Sequence, residues 1–199
     1  MEPIISKEEF DELVKIKGEI RGIALKGTAK FILEEKGEEG LKKLEDTITK
    51  LGYPLKFKRI KKMDFYPLGL DPIINLSMKR LFNYDNEKFY EIGRFSSKFP
   101  VPIRLFMKYL VSIDKLVKEV PKMWRTYFTV GDLKTIEHDE KKRYMILRIE
   151  NFYVHPLNCE IIKGYFSAIL EIVVKKPVTL KETKCVYRGA KYHEFLLKW

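Results

Sequence analysis

The sequence predicts an α+β fold in which helices pack on one side of a small antiparallel sheet. Helical patterns fill most of residues 1–123, whereas residues 124–199 have the pattern of a β-hairpin, a helix and a second β-hairpin. A run of helices followed by a run of strands is typical of this class. The 199 residues, 45% of them hydrophobic, suffice for a substantial core. We therefore expect a single small-molecule-binding-like domain over residues 1–199.

The first predicted helix covers residues 6–52. Ser6 and Glu9 have the spacing of a capping box, in which each side chain satisfies a free backbone N–H of the other. Gly37 and Gly52 are plausible stops, because glycine favours the end of a helix.

A short strand is expected over residues 55–60, and a second helix is expected after it. Asp71 is expected to be the N-cap of this helix and Pro72 its first residue, because proline fits the first helical position. Pro100, Pro102 and Pro121 are expected to separate the later helices. These later helices are expected over residues 86–95 and 103–120.

The carboxyl-terminal part carries the predicted sheet. An amphipathic helix with Asn158 as its N-cap is expected over residues 158–174, because asparagine accepts a hydrogen bond from the first helical turn. Hairpin strands are expected on either side of it, at 124–136 and 143–152 before it, and at 177–187 and 192–199 after it.

The charge composition permits an anionic partner without requiring one. Lysine and arginine number 39 against 28 acidic residues, a net charge of +11, but the basic excess is scattered singly through residues 51–130. A solvated surface is therefore favoured over a nucleic-acid groove, and nucleic acid is not expected as a partner. The alternative, a binder of nucleic acid or of an anionic surface, requires one face to gather Lys56, Lys58, Arg59, Lys61, Lys62, Arg80, Arg94 and Arg104.

Composition also predicts the compartment. The first ten residues lack the apolar segment of a signal peptide. The sequence also has no stretch of eighteen apolar residues, the length needed to span a membrane. The sequence contains no glutamine, and 34% of its residues are charged, as in thermophilic proteins. We expect a cytoplasmic protein from a thermophile.

A partial metal site is predicted in the last forty residues. Cys159 lies in the first turn of the predicted helix, and Cys185 and His193 are expected to face each other across the last hairpin. Two thiolates and an imidazole are a natural partial zinc shell, for which Glu137 or His138 could supply the fourth ligand. The alternatives are a disulfide between the cysteines, or two buried cysteines without a ligand.

A ligand pocket is predicted where the helices meet the sheet. Aromatic and apolar residues concentrate at this junction, and they are ordinary core residues unless the helices leave a cavity against the sheet. The candidate lining residues are Trp124, Tyr127, Phe128, Phe152, Phe166 and Leu170, with Met123 and Tyr153 nearby.

The last forty residues resemble the signature of the vinyl-4-reductase, or hydrocarbon-binding, domain family. That signature has a cysteine at a helix start, a Gly–Tyr pair one turn later, an acidic residue before a second cysteine, a glycine turn and a third cysteine before an aromatic residue. The matching positions are Cys159, Gly164, Tyr165, Glu182, Cys185, Gly189, His193 and Phe195. The upstream part is similar to an uncharacterised myxobacterial paralogue family at Gly22, the DFYP motif of residues 64–67, Gly93 and Arg94.

This resemblance implies a fold shared with haem-nitric-oxide-binding sensors and with TRAPP vesicle-tethering subunits. It implies an apolar or aromatic ligand in an interior pocket, a homodimer, and structural zinc on Cys159, Cys185 and His193, with Glu137 as the approximate upstream carboxylate. The third ligand position departs from the family pattern, because His193 replaces a cysteine.

Haem and catalysis are not expected. Haem-binding relatives need a helical histidine and a Tyr-x-Ser-x-Arg run, and the segment 144–148 has the wrong spacing and no serine. His155 has no evident nucleophile beside it, and no glycine-rich loop could hold a phosphate. We therefore expect a non-catalytic small-molecule sensor that signals through a separate protein. The first alternative is a ligand-free interaction scaffold like a TRAPP subunit.

Overall fold

The α+β class is confirmed by the computed structural model, which describes residues 4–97 and 112–199. Its helices, within those ranges, are α1 (Lys7–Val14), α2 (Gly22–Lys50), α3 (Leu70–Phe82), α4 (Asn86–Ser96), α5 (Ile113–Tyr127) and α6 (Pro156–Val174). Its strands are β1 (Glu19–Arg21), β2 (Phe65–Pro67), β3 (Asp132–Asp139), β4 (Tyr144–Glu150), β5 (Thr179–Lys184) and β6 (His193–Lys198).

The principal sheet is antiparallel, with strand order β3-β4-β6-β5. Alternation along its central strands buries one face, which carries Met145, Leu147 and Ile149 on β4 and Phe195 and Leu197 on β6. The residues between them lie on the partly exposed opposite face. The helices cover the buried face, as predicted, and α6 connects β4 to β5.

The predicted helix over residues 6–52 is interrupted in the structure. Ser6 caps α1 as expected, since its hydroxyl accepts from the Glu9 amide at 3.2 Å. A three-residue strand, β1, then pairs with β2 in a separate small sheet. Gly37 does not end α2, but it breaks the helical geometry there with φ of 68°.

Several predicted boundaries are wrong. Residues 55–60 form no strand and contain the 3₁₀ turn Phe57–Arg59. Pro121 lies inside α5, which continues through Tyr127, so that the strand expected from residue 124 begins only at Asp132. The predicted helix over residues 103–120 falls partly outside the described residues.

Two predicted caps are also wrong, and both residues are buried instead. Gly69 precedes α3, so Asp71 lies within the first turn of that helix. His155 caps α6 by accepting from the Leu157 amide, so Asn158 also lies within the first turn. The two side chains meet, since the Asn158 amide donates to Asp71 at 2.6 Å.

Helices α4 and α6 cross at a pair of glycines. A Cβ atom on Gly93 would lie 1.9 Å from the carbonyl oxygen of Ile161, and one on Gly164 would lie 1.9 Å from that of Tyr90. Only glycine permits this approach of the two backbones. The crossing fixes α6, and with it Asn158 and Cys159, against the rest of the helical layer.

No helix among residues 4–97 and 112–199 has the length and apolar character needed to cross a bilayer.

Candidate functional site

A cluster of four buried side chains joins the start of α6 to the last hairpin. Cys159 comes from α6, Glu182 from β5, Cys185 from the residue after β5, and His193 from the start of β6. Their ligand atoms all lie within 4.8 Å of one another. The structure therefore brings together the three residues that the sequence singles out and adds Glu182.

A β-bulge explains how Glu182 and Cys185 reach the same face. Strict alternation would point residues three apart to opposite faces. The register shifts from Glu182↔Phe195 to Lys184↔Glu194, so that Thr183 is an extra residue on β5. The bulge resets the alternation and turns Cys185 inward together with Glu182. The sequence pattern offered one signal for Glu182, namely the acidic residue before the second cysteine.

Three atom separations in the cluster match those of a tetrahedral metal site. The two cysteine sulfurs lie 3.9 Å apart, Cys159 Sγ lies 3.7 Å from His193 Nδ1, and that nitrogen lies 3.3 Å from Glu182 Oε1. Usual zinc–ligand bond lengths give tetrahedral edges of about 3.8, 3.6 and 3.4 Å for these pairs. A disulfide bond would require about 2.05 Å between the sulfurs, and both cysteines are free in this structure.

The His193 ring is oriented by a hydrogen bond on its far side. Its Nε2 donates to the carbonyl oxygen of Phe152 at 3.1 Å, which leaves the Nδ1 lone pair directed at the cluster. Such a backbone partner is typical of a metal-ligating histidine, because it selects the tautomer and holds the ring. Without a proton or a cation between them, this lone pair and the Glu182 carboxylate oxygen would repel each other.

Charge in the cluster is only partly balanced. Burial raises the pKa of the Cys159 thiol, and the nearby Glu182 and Cys185 raise it further. Burial also opposes ionisation of Glu182, but a hydrogen bond from His193 Nδ1, when that nitrogen carries a proton, and the Arg188 guanidinium outweigh this effect and lower the pKa of Glu182. A bound divalent cation would reverse the balance and stabilise both thiolates.

The structure does not bring Glu137 or His138 to this cluster. Glu137 accepts a hydrogen bond from the Tyr144 hydroxyl, and His138 Nε2 lies 3.1 Å from Asp114. Glu137 pairs with Ile146 and His193 with Ile149, three residues apart on β4, so the two lie at different levels of the sheet. Glu182 occupies the place that was predicted for Glu137.

A second feature is a cavity of about 140 Å³ between the helices and the sheet. Its lining includes five of the six residues predicted for the pocket. Those five are Trp124, Tyr127, Phe128, Phe166 and Leu170. The sheet contributes the floor through Leu133, Met145, Leu147 and Leu197, and α2 contributes Ile23, Ala24 and Gly27.

Phe152 does not line the cavity, which corrects the prediction. Its ring packs behind the lining, edge-on against Trp124 with ring centroids 5.0 Å apart and against Phe128 at 5.3 Å. Its carbonyl oxygen accepts from His193. Phe152 therefore connects the cavity wall to the four-residue cluster.

Polar groups occupy part of the otherwise apolar cavity wall. Asp71 and Asn158 line it, as do the ring-bearing residues Tyr127 and Tyr165. Asn158 Oδ1 is buried without a hydrogen-bond partner. The two tyrosine hydroxyls are buried beside each other. Burial raises the pKa of Asp71 to about 6, against the opposing effect of hydrogen bonds from Asn158 and Asn75. Unsatisfied buried polar atoms are costly.

Four of the seven described basic residues of the nucleic-acid alternative are engaged in ion pairs. Lys56 pairs with Glu45, Lys61 with Asp64, Arg80 with Glu9 and Arg94 with Glu171. Arg104 lies outside the described residues. Their negative partners reduce the potential that these side chains could offer to a phosphate backbone.

Solved structures show the same architecture. The H-NOX domain of Shewanella oneidensis in its Fe(II)CO state superposes with a TM-score of 0.66, 12% identity, and coverage of 90% of this chain and 98% of that domain. An H-NOX protein mutant from K. algicida superposes with a TM-score of 0.61 and 11% identity, with coverage of 90% of this chain and 96% of the H-NOX chain. The chain has the H-NOX fold.

A likeness at this identity concerns the fold alone. A TRAPP subunit 3 from Naegleria fowleri, covalently bound to palmitic acid, superposes on 62% of this chain and 88% of its own, with 14% identity and a TM-score of 0.47. No family model and no curated protein matches the sequence. The vinyl-4-reductase and myxobacterial resemblances therefore stay predictions.

The cavity does not fit a haem held by a histidine. The chain's histidines are His138, His155 and His193, and none of them lines the cavity. An apolar cavity of roughly 150 Å³ holds a single benzene, whereas a porphyrin consists of four five-membered rings and their bridges.

Proposed function

We propose that this protein is a non-catalytic, sensor-like module that binds one small, largely apolar molecule between its helices and its sheet. The observation that carries the proposal is the cavity of about 140 Å³ walled by aromatic side chains. Such cavities are the usual form of small-ligand sites in proteins. The ligand would bias the packing of the helices on the sheet, and a second protein chain or a dimer partner would detect the change.

The experiment is thermal unfolding of the purified chain with toluene, a ring-sized apolar probe. We expect the melting temperature to rise with toluene concentration, since a ligand of the folded state stabilises it by mass action. The variant Ala24→Leu, which places a larger side chain in the cavity wall, should lose the response. Ala190→Leu, in the loop of the last hairpin, is the matched control and should retain it.

A melting temperature insensitive to toluene in both the native chain and the control would contradict the proposal. The ligand-free scaffold would then be the better interpretation. Binding of toluene with unchanged affinity by Ala24→Leu would place the ligand elsewhere.

We also propose that Cys159, Glu182, Cys185 and His193 hold one structural zinc ion. The separations of their ligand atoms and the orientation of His193 support this assignment. A set of four protein ligands without an open position is typical of structural zinc. The ion would tie the last hairpin to the first turn of α6.

Native mass spectrometry of protein purified without a metal-affinity column tests the zinc site. We expect one zinc per chain, its loss in Cys185→Ser, and its retention in the control His138→Asn. A metal-free chain that is two mass units lighter, the mark of a disulfide, would overturn the assignment.

A further inference from the structure

Asp71 is a buried carboxylate without a cationic partner. Only 8% of the Asp71 surface is exposed. Its carboxylate accepts hydrogen bonds from the neutral side-chain amides of Asn75 and Asn158. Other partly or fully buried carboxylates have cations, as Glu182 has Arg188 and Glu194 has Arg148. No ion pair of Asp71 occurs within residues 4–97 and 112–199. Buried carboxylates normally have a countercharge.

The free polar atoms beside Asp71 are mainly acceptors. The Asn158 Nδ2 group donates to Asp71, which leaves the amide oxygen of this cavity-lining residue as the unsatisfied atom. The buried hydroxyl oxygens of Tyr127 and Tyr165, which lie beside each other, can also accept. Among the described residues, no lysine, arginine or histidine lines the cavity. The wall therefore repels a ligand anion and attracts a cation that donates hydrogen bonds.

The rest of the wall also suits an organic cation. Aromatic rings attract positive charge through their faces, and the attraction increases when the cation is shielded from water. Five aromatic side chains line the cavity, namely Trp124, Tyr127, Phe128, Tyr165 and Phe166. The cavity volume, about 140 Å³, suits one six-membered ring with a short substituent.

We propose that the ligand is a small protonated amine with a single apolar ring, its ammonium group bound by Asp71 and Asn158 and its ring held among the aromatic side chains. This inference rests on the proposed function of the cavity and names its ligand class. The ammonium group supplies three donors, which match the Asp71 carboxylate, the Asn158 amide oxygen and a tyrosine hydroxyl. It also supplies the countercharge that the described chain does not provide.

Isothermal titration calorimetry with four probes that share one benzene ring tests the proposal. Benzylamine, benzyl alcohol, toluene and benzoate differ only in the polar end, so their ranking reports what the wall recognises. With the native full chain at pH 7.5 we expect benzylamine to bind at least tenfold more tightly than benzyl alcohol or toluene, and benzoate most weakly. The variant Asp71→Asn should lose at least tenfold in benzylamine affinity and change toluene affinity by less than twofold.

The pH dependence gives a second readout. The titratable residues that share the cavity with Asp71, in the described chain, are Tyr127 and Tyr165, and both stay protonated because burial raises their pKa. Benzylamine affinity should therefore fall as the pH is lowered through about 6, where Asp71 takes up a proton. Toluene affinity should not change over this range.

Three outcomes would overturn the amine proposal. Benzyl alcohol or toluene binding as tightly as benzylamine would leave the cavity as a ligand site and remove the role of charge. Equal loss of toluene and benzylamine affinity in Asp71→Asn would indicate damage to the cavity rather than to amine recognition. Failure of all four probes to bind would contradict the proposed function itself, and the amine proposal with it.

Discussion

At the scale of single residues, Asp71 is a source of instability that the fold tolerates. Its pKa is raised by burial from 3.8 to about 6, so the folded state holds its proton more tightly than the unfolded chain. Stability therefore falls as the pH rises from about 4 to about 6, and the cost is complete above 6. A shift of this size corresponds to about 2–3 kcal/mol.

The variant Asp71→Asn should relieve this cost. Both amide donors, Asn75 and Asn158, bond to the same carboxylate oxygen, which an asparagine oxygen can replace. We expect ligand-free Asp71→Asn to be about 2 kcal/mol more stable than the native chain at pH 7.5 and equal to it near pH 4. Urea unfolding at the two pH values measures the difference, and a variant that is less stable at both would show that the carboxylate is needed structurally.

Single residues also show what the sequence could and could not predict about the sites. Cys159, Cys185 and His193 could be placed together because a helix start and a hairpin register suffice to do so. Glu182 was missed because its spacing of three from Cys185 gives opposite faces in a regular strand, and a bulge is not evident in the sequence. Asp71 has the pattern of a helix cap, and only tertiary packing shows that it is buried.

At the scale of elements, the α4–α6 crossing depends on two glycines, whose lack of a side chain lets the backbones approach. Gly93→Ala or Gly164→Ala would place a methyl group 1.9 Å from a carbonyl oxygen of the opposite helix. Because the clashing atom belongs to the backbone, the clash cannot be relieved by a change of side-chain rotamer. We expect each variant to lose about 2–3 kcal/mol of stability. Gly27→Ala is the matched control, because its methyl group would meet Ser96 Oγ at 3.5 Å; thermal unfolding should show no loss for it. Equal losses of stability in all three variants would show that the destabilisation does not come from the close approach of α4 and α6.

The same two helices share an ion pair whose pH dependence can be predicted. Arg94 binds Glu171 through two hydrogen bonds of 2.6 and 3.2 Å, and this contact lowers the pKa of Glu171 from its ordinary 4.5. Its contribution is therefore complete above pH 4.5 and is lost as the pH falls through the lowered pKa. Arg94→Met should cost less than about 1 kcal/mol at pH 7, because the pair is partly exposed. Urea unfolding at pH 3 should show a smaller difference, and an equal one would assign the effect to packing.

The helices and strands also show which parts of the fold a sequence pattern can predict. The Ser6 cap could be predicted because it is a local contact. The stretch from Trp124 to Tyr127 has aromatic residues that favour strands, yet it is helical because its rings pack into the cavity wall. Strands β1 and β2 have three residues each, too few for a periodic pattern to emerge.

At the scale of the whole molecule, the cavity and the four-residue cluster are adjacent and share structural elements. Asn158 lines the cavity and Cys159, the next residue on α6, belongs to the cluster. Phe152 packs against Trp124 of the cavity wall while its carbonyl oxygen holds His193. A ligand that orders one site therefore orders backbone that the other site needs, and by linkage the effect is reciprocal.

We expect zinc and a cavity ligand to strengthen each other's binding. Zinc titration of metal-free protein, by competition with a chromophoric chelator, should give an affinity at least about fivefold higher when benzylamine saturates the cavity, within the usual range of coupling. The reverse titration must give the same factor, because both describe one free-energy cycle. Phe152→Leu, which removes the ring contact with Trp124 but keeps the carbonyl group, should reduce the factor toward one while zinc still binds. Identical zinc affinities with and without the amine would show that the two sites are independent, although one helix turn carries both.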